Sequence, residues 1–413
     1  MKAADPMKTV DIAVTGLGLV TPAGVGVQAT WDGLLSGRSL AATDEQLAGL
    51  PVDFSCRVPD FDPTARLGRR LSWRIDRFIQ MGLVAAREAV TDAGWDPAAW
   101  DGARVAVVLG NGSGGNDQAH RDYELLNRGR YKAISPLCIT RAVSNMLAGE
   151  LSADLQALGP SLVTSTACAS GGTAIGVARG LLASSMCDIV ITGGSESVCR
   201  PMPAAGFGQM GALSTRVHDP AGACRPFDAD RDGFVLGEGA GVLVLERLAD
   251  ARARNAPVRA LVAGYGASAD GYHFSSPDPE GQGVVRAIHA ALADAGLSPS
   301  DIDHINAHGT STQQNDLAEA RALCSVFGTP PPVTANKSVL GHSIGGAGAI
   351  EAAVTVLSLH HRTIPPIANL DRLDPEIDLD VVTKAPRSQQ LRAALSNSIG
   401  FGGQNAVLAF QTP

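Results

Sequence analysis

The sequence predicts an α/β fold built from two related halves. Short apolar strands alternate with longer amphipathic helices, which is the pattern of a layered α/β protein. One helix–linker–strand unit also occurs twice: the segment 81–95 ends in the letters DAGW, and the segment 284–297 ends in DAGL. A loop rich in glycine, serine and threonine follows the strand in both cases, at 110–115 and at 308–312. A repeat of this length indicates duplication of a half-domain.

The expected elements follow in chain order. Apolar runs predict strands at 10–15, 105–109, 161–163, 189–192 and 241–245 in the first half, and at 260–265, 302–306 and 408–410 in the second. Helical patterns cover 81–93, 173–182 and 284–295.

The boundary between the halves is expected in a polar segment, 249–257, which ends in a helix-breaking proline. This places an N-terminal half at 8–250 and a C-terminal half at 257–413. An excursion at about 116–148 has no counterpart in the second half. Insertions of that kind often build lids or subunit contacts, and we expect one of those roles here.

The composition excludes several classes of function. The formal net charge is -8, whereas a nucleic-acid partner requires a concentrated basic face. No apolar run approaches the roughly 20 residues that span a bilayer, and the first apolar run is too short for a signal peptide. The seven cysteines form no CxxC pair, and an odd number does not suit a disulfide framework. We therefore expect a cytoplasmic protein with reduced thiols that binds neither nucleic acid nor membranes.

Cys168 is the first candidate for a reactive side chain. It lies among small residues, in the letters STACASGG at 165–172, between an apolar run and a helical pattern. A turn that places it at a helix N-terminus would lower the pKa of its thiol, because unpaired amides and the helix dipole stabilise a thiolate. The alternative is a buried cysteine that acts only as a small hydrophobe.

Two histidines lie in similar surroundings. His308 ends an apolar strand just before a glycine, and His342 lies in the glycine- and alanine-rich segment 341–351. A thiol with two such imidazoles suggests nucleophilic catalysis assisted by hydrogen-bond donors. Each histidine alone could be structural. A zinc site is a third alternative, and the lack of a CxxC pair argues against it, so we expect no metal.

Several motifs together resemble one family. They are TACASG at 166–171, RPFD at 225–228, RDGF at 231–234, the segments around His308 and His342, and GFGGQN at 400–405. In this order they resemble the β-ketoacyl-[acyl-carrier-protein] synthases of the elongating type, in the thiolase superfamily. The resemblance begins at VTGLG, 14–18, and covers nearly the whole chain. It implies a thiolase-like fold with a layered αβαβα arrangement and mixed five-stranded sheets.

The resemblance also implies the reaction. Cys168 would hold an acyl chain as a thioester, and the backbone amides of Cys168 and Phe401 would form an oxyanion hole. His308 and His342 would donate hydrogen bonds to the enolate that forms when malonyl-acyl carrier protein loses CO2. Attack of the enolate on the thioester is a decarboxylative Claisen condensation, which extends a fatty acyl or polyketide chain by two carbons.

Other site residues are carried over from the same family. Three residues would support the site: Lys337, Glu351 and Asp316. Four would gate or line the acyl pocket: Phe401, Phe234, Ser113 and Leu137. Thr310 and Thr312 would contact the phosphopantetheine arm. An arginine cluster would dock the acidic carrier protein: Arg66, Arg69, Arg70, Arg74 and Arg77. Three of these assignments have an alternative. Lys337 and Glu351 could form a buried structural ion pair, and Phe234 could be ordinary core packing. The arginines could be a solvated helix face.

The resemblance implies acyl carrier protein as a partner and no cofactor beyond the phosphopantetheine of the carrier. It also implies a homodimer, or a heterodimer with a chain-length-factor-like subunit. Departures from the family pattern occur at Gln404, at Ile399, at Ser113 and in QQN, 313–315. They leave open whether the pathway is fatty acid synthesis or a specialised polyketide route.

Three other readings are less favoured. A thiolase would need a second cysteine in the final glycine-rich loop, where Phe401 and Gln404 lie instead. An initiating synthase pairs its cysteine with histidine and asparagine, and His342 disfavours it. A non-catalytic chain-length partner usually lacks the active cysteine, which this chain has.

Overall fold

The structure is a computed structural model and describes residues 10–413. The first two residues of the expected N-terminal half, 8 and 9, lie outside the described residues.

Fifteen strands are present in the described range. They are β1 (Ile12–Thr21), β2 (Gly24–Val25), β3 (Ala42–Thr43), β4 (Phe54–Ser55), β5 (Val105–Gly110), β6 (Ser161–Thr164), β7 (Ile189–Ser197), β8 (Glu238–Arg247), β9 (Ala260–Ala269), β10 (His304–Asn306), β11 (Val333–Thr334), β12 (Thr363–Ile364), β13 (Arg387–Ser388), β14 (Ala393–Gly400) and β15 (Gln404–Gln411).

Fourteen α-helices occur in the same part of the chain. They are α1 (Val27–Leu35), α2 (Pro63–Leu67), α3 (Arg69–Arg74), α4 (Arg77–Asp92), α5 (Asn116–Asn127), α6 (Cys138–Ala142), α7 (Met146–Leu155), α8 (Ser170–Ala183), α9 (Pro201–Gln209), α10 (Leu248–Ala253), α11 (Gln282–Ala295), α12 (Gln313–Phe327), α13 (Lys337–Leu340) and α14 (Ala347–His361). No helix in the described range is long and apolar enough to cross a membrane.

The main sheet has eleven strands: two five-stranded groups with the same topology, and β2, which pairs with β1. The strand order is β6-β5-β7-β8-β1 in one group and β11-β10-β14-β15-β9 in the other. In each group the first three strands are parallel and the last two run antiparallel to their neighbours. The groups join where β1 pairs with β9 over two residues. This arrangement confirms the predicted fold class of two duplicated halves with mixed five-stranded sheets.

The layers follow from where the apolar side chains pack. One core cluster takes residues from both strand groups and from α8 and α14. A second cluster joins α4 and α7 to the first group, and a third joins α11 and α12 to the second group. Two helices between two sheets, with further helices outside each sheet, make the layered αβαβα arrangement.

The repeated DAG letters have a physical explanation. Asp92, at the end of α4, accepts a hydrogen bond from the Leu17 amide of β1 at 2.9 Å. Asp294, near the end of α11, accepts one from the Tyr265 amide of β9 at the same distance. Each carboxylate therefore ties its helix to the middle of the first strand of its half.

Glycines in those two strands allow the helices to come this close. A Cβ atom on Gly16 would lie 2.1 Å from the Ala89 carbonyl oxygen of α4, and one on Gly264 would lie 2.3 Å from the Ala291 oxygen of α11. Neither contact is sterically possible, so both positions require glycine. The two halves thus share the close packing of a helix against a strand glycine as well as the strand order.

One central strand was not predicted. β14 has the sequence AALSNSIG, in which serine and asparagine interrupt the apolar run, yet all eight of its residues are buried. Because β14 lies between β10 and β15, it is covered on both edges and both faces. The predicted half boundaries stay a proposal; the chain passes from β8 through α10 to β9 at that point.

Candidate active site

Cys168 lies in a tight turn between a strand and a helix. β6 ends at Thr164, a short 3-10 turn covers Ala167–Ala169, and α8 begins at Ser170. Ala167 has a φ of 49°, a left-handed conformation that an alanine rarely adopts. The Ser170 hydroxyl stabilises the turn, because it accepts from the Thr166 amide at 3.0 Å and donates to the Ala167 carbonyl at 2.6 Å. The predicted strand–turn–helix setting of the thiol is therefore present.

The structure brings the three predicted catalytic side chains together. His342 Nε2 lies 3.2 Å from Cys168 Sγ. The His308 and His342 rings lie edge to face, with centroids 5.4 Å apart and an interplanar angle of 83°. All three residues are buried, and one sulfur or nitrogen atom from each lies within 4.8 Å of the others. Cys168 lies 174 residues before His342 in the sequence, and His308 lies 34 residues before it, so the two halves contribute to one site.

Lys337 sets the protonation pattern of His308. Its Nζ lies 3.2 Å from His308 Nδ1, 2.6 Å from the His308 carbonyl oxygen and 2.5 Å from Glu351 Oε1. An ammonium group has three hydrogens, and these contacts use all of them. His308 Nδ1 must then accept, which leaves the proton on Nε2 as a donor. Lys337 and Glu351 thus form a buried ion pair, and Lys337 also contacts a catalytic candidate.

Two carboxylates shape the backbone around His308. Asp316 accepts from the Ser311 amide at 3.2 Å, so it holds the loop that follows His308 as predicted from sequence. Glu319 was not predicted, and it accepts from the amides of His308 at 2.8 Å and Gly309 at 2.9 Å. The signal that could have found Glu319 is a charged residue on the buried, alanine-rich face of α12.

A cavity of about 400 Å³ opens onto Cys168. Its lining includes both histidines, the Phe401 loop, Phe207 and Phe234, and the predicted arm contacts Thr310 and Thr312. The amides of Phe401 and of Cys168 itself lie close enough to the sulfur to lower the pKa of its thiol. An oxygen on a carbon bonded to this sulfur would therefore lie near both amides, which is the geometry an oxyanion hole requires.

The aromatic rings form one side of the cavity. Phe234 packs edge to face on His342 at a centroid distance of 5.2 Å, and Phe207 contacts both Phe234 and Phe401, at 5.4 and 6.2 Å. Phe207 was not singled out from the sequence, because a single phenylalanine in α9 resembles ordinary core packing. The gating roles of Phe234 and Phe401 stay predictions.

Two of the predicted acyl-pocket residues lie elsewhere. Among the described residues that line this cavity, none belongs to the segment 110–148, so Ser113 and Leu137 lie outside its wall. The Ser113 hydroxyl donates to Glu196 Oε1 at 2.7 Å, and Glu196 also accepts from the amides of Gly112 and Ser113. Sequence reasoning missed Glu196. The roles of Ser113 and Leu137 toward the acyl chain stay predictions.

The predicted carrier-docking arginines divide into two groups. Arg66, Arg69 and Arg70 are exposed, and Arg74 pairs with Glu150 while keeping about half of its side chain exposed, at 48%. Arg77 turns inward and pairs with the buried Glu238 at 2.6 Å. The inclusion of Arg77 in a docking surface is therefore corrected, because its guanidinium is already used by an interior carboxylate.

Burial controls the titration of the site. It raises the pKa of the Cys168 thiol to about 11, against the opposing effects of the Lys337 charge and the two amides. The expectation of a lowered pKa is therefore wrong for this structure, because desolvation outweighs the effects that favour the thiolate. Burial and the Lys337 charge hold the pKa of both His308 and His342 well below the usual value. At neutral pH the site contains a thiol and two neutral imidazoles.

A labelling experiment tests this protonation state. Only the thiolate reacts with iodoacetamide, so the rate of Cys168 alkylation should rise about tenfold per pH unit from pH 7 to pH 10. The direction follows from a pKa of about 11, since the thiolate fraction is small throughout that range. Mass spectrometry of the native protein and of Cys168→Ala identifies the labelled site. A plateau below pH 8 would contradict the raised pKa.

Comparison with known proteins gives a consistent result. The family model described as "Beta-ketoacyl synthase, N-terminal domain" matches residues 9–251, and "Beta-ketoacyl synthase, C-terminal domain" matches 259–371. The chain is 41% identical over 405 residues to a "3-oxoacyl-[acyl-carrier-protein] synthase 2" of Synechocystis sp., with 97% of each chain covered. It is 39% identical over 412 residues to a protein of the same name from Staphylococcus aureus, with 98% of this chain and 99% of that protein covered.

Solved structures agree with the sequence matches. "The ishigamide ketosynthase/chain length factor" superposes with a TM-score of 0.92 at 35% identity, covering 98% of this chain and 100% of that one. A type II PKS acyl-carrier protein in complex with its ketosynthase superposes with a TM-score of 0.89 at 30% identity and the same coverage.

Proposed function

The chain belongs to the β-ketoacyl synthase family, and from that premise we propose that Cys168, His308 and His342 carry out its condensing reaction. The reaction joins an acyl thioester to malonyl-acyl carrier protein, releases CO2 and extends the chain by two carbons. The observation that carries the assignment is the contact of 3.2 Å between His342 Nε2 and Cys168 Sγ, inside a cavity that His308 also lines.

The first step transfers the acyl group to the enzyme. Cys168 starts as a thiol, so it must lose its proton as sulfur attacks the thioester carbonyl. His342 Nε2 is within reach to accept that proton, which makes His342 a transient imidazolium, and to pass it to the departing carrier thiolate. The amides of Cys168 and Phe401 stabilise the oxyanion of the tetrahedral intermediate. The products are an acyl-Cys168 thioester and a free carrier thiol.

The second step generates the carbon nucleophile. The malonyl carboxylate leaves as CO2, and its electron pair forms an enolate on the thioester oxygen. His308 supplies an Nε2–H donor because Lys337 occupies its Nδ1, and His342 supplies a second donor in the tautomer that carries its proton on Nε2. The enolate carbon then attacks the acyl-Cys168 carbonyl, and the Cys168 thiolate departs and takes up a proton. That proton comes from solvent, and both donors of this second step are neutral imidazoles.

The reaction uses groups carried by the substrates. We propose that phosphopantetheine on the carrier delivers both substrates past Thr310 and Thr312, whose hydroxyl oxygens lie 2.9 Å apart at the cavity wall. The enzyme then needs no cofactor or metal of its own. A cytoplasmic location fits seven free thiols. The two matched family segments support separate halves at 8–250 and 257–413.

The pathway has two candidates. Curated relatives at about 40% identity carry the name 3-oxoacyl-[acyl-carrier-protein] synthase 2, which favours two-carbon extension of fatty acyl chains. The high similarity to a ketosynthase/chain length factor structure favours a polyketide enzyme with a partner subunit. A panel of acyl primers with malonyl carrier, read by CO2 release and product mass, separates them. Condensation by the isolated chain excludes an obligate partner, and a lack of product with every primer argues for a missing subunit.

We also propose a two-fold assembly through the open edge of the first half. β6 forms the outer edge of the sheet, and the neighbouring excursion exposes large apolar side chains, among them Tyr123, Leu126, Tyr131 and Ile139. Pairing of such edges buries unpaired strand groups. A homodimer is the simplest form, and a heterodimer with a chain-length-factor-like subunit would use the same edge.

The docking of the carrier is tested by charge reversal. Arg69 and Arg70 are exposed on α3, and clustered positive charge steers an acidic partner even when the net charge of the protein is negative. The double variant Arg69→Glu with Arg70→Glu should raise the KM for malonyl carrier about tenfold or more at low salt. Alkylation of Cys168 should stay at the native rate. An unchanged carrier KM would reject the docking assignment.

A further inference from the structure

Trp73 is an exposed indole in the middle of the arginine cluster. It lies on α3, which also carries Arg69, Arg70 and Arg74, and its exposed fraction is 67%. A tryptophan that leaves about two thirds of its surface in water buries little apolar area and so contributes little to the stability of the fold. Tryptophan and arginine are also the residues most enriched at the energetic centres of protein interfaces.

The indole is held in place by a second segment of the chain. The guanidinium carbon of Arg141, in α6, lies over the ring at 5.1 Å from its centroid. Arg141 Nε donates to the Arg74 carbonyl at 3.2 Å, a terminal nitrogen donates to the Trp73 carbonyl, and the other donates to Gln118 Oε1 at 3.2 Å. Arg141 is therefore fixed by three acceptors while its flat face covers the ring. An exposed side chain normally loses conformational entropy on binding, and this loss is smaller for Trp73 because Arg141 already restricts its motion.

We propose that Trp73, positioned by Arg141, is the apolar centre of the carrier-docking surface and packs against the apolar side of an acidic helix of the carrier. This inference rests on the proposed function, because it takes the partner to be the carrier protein. Arg69, Arg70 and Arg74 surround the indole with positive charge, so a suitable partner presents carboxylates around an apolar contact point.

The charges argue against a second copy of this chain as the occupant. A two-fold contact centred on Trp73 would place the same patch on both sides. Arginines around Trp73 would then face the arginines of the other copy, and like charges in an interface are repulsive. An acidic helix has no such conflict.

The test compares carrier-bound and carrier-free substrates. Trp73→Ala should raise the KM for malonyl carrier about 30-fold, as expected for a central interface tryptophan, with little change in kcat. Trp73→Phe should recover most of the affinity. The same variants should have native kinetics with malonyl-CoA, which bypasses docking. Met186→Ala removes another exposed apolar side chain, 55% exposed at a remote position, and should leave both substrates unaffected.

Arg141 is tested as a positioning residue. Arg141→Ala should raise the carrier KM by less than Trp73→Ala, and the double variant should equal Trp73→Ala alone, because Arg141 acts through the indole. A fully additive double variant would show that Arg141 contacts the carrier independently and would overturn the positioning role.

Three other outcomes overturn the proposal. An unchanged carrier KM in Trp73→Ala shows that the indole does not touch the carrier. A loss of the dimer in that variant, seen by light scattering, shows that a second copy covers it. An equal loss with malonyl-CoA shows a general defect of the enzyme. If the native protein condenses neither substrate, the proposed function fails instead, which is a distinct result.

Discussion

Replacing Cys168 with alanine should abolish condensation, with a loss on the order of 10⁶-fold, as expected when the nucleophile of a covalent mechanism is removed. The acyl group then has no attachment point, although the cavity and both histidines remain. The variant should still bind malonyl carrier and release CO2 slowly, because the donors on His308 and His342 are intact. The measurement is product mass and CO2 release from the same reaction, with a saturated acyl carrier as primer.

A matched control removes a thiol elsewhere. Cys324 is a partly exposed free cysteine in α12, and Cys324→Ala should condense at the native rate. Stable acyl-enzyme should appear by intact mass in the native protein when malonyl carrier is withheld, and not in Cys168→Ala. Acylation of the Cys168→Ala protein would disprove the assignment of the nucleophile.

The second large effect is expected when each histidine is replaced by alanine, because the two variants should lose different steps of the reaction. His308→Ala removes a donor to the enolate, and loss of one such donor typically costs about 100- to 1000-fold in rate. The loss should appear in decarboxylation, while acylation of Cys168 stays within a few-fold of native. His342→Ala should lower both steps, because His342 Nε2 contacts the sulfur as well as the space for the enolate.

Two further variants sharpen the comparison. His308→Asn restores a neutral N–H donor and should recover part of the decarboxylation rate. His289 is an exposed histidine of α11, and His289→Ala should change neither step. Single-turnover acylation and CO2 release measure the two steps separately. Equal losses of acylation in both alanine variants would contradict the separate roles.

The sequence and the structure agree where a motif carries its own local geometry. The DAG letters after α4 and α11 predicted a duplication, and the structure shows that Asp92 and Asp294 each bind the first strand of their half. Cys168 was placed correctly at a strand–turn–helix junction, because an apolar run precedes its segment and a helical pattern follows it. These features depend on neighbours in sequence, so the sequence alone was enough to predict them.

Features that depend on distant partners were predicted less well. Arg77 was assigned to the surface with its four neighbours, but a buried carboxylate 161 residues away pairs with it. The pKa of Cys168 was expected to fall because of a local helix, whereas burial by both halves raises it to about 11. β14 was missed because its serines and asparagine interrupt the apolar pattern, although the neighbouring strands bury all eight of its residues.

By itself, the sequence determined the fold class and the duplication and singled out three candidate side chains, because spacing and small-residue motifs constrain the chain locally. Only the tertiary structure decided the hydrogen-bond partners and protonation states of those side chains. Lys337 occupies Nδ1 of His308 and leaves Nε2 as the donor, and Glu319 holds the amides of the His308 turn. These contacts require two segments to meet in space, and burial and charge at the meeting point set the protonation states from which the reaction starts.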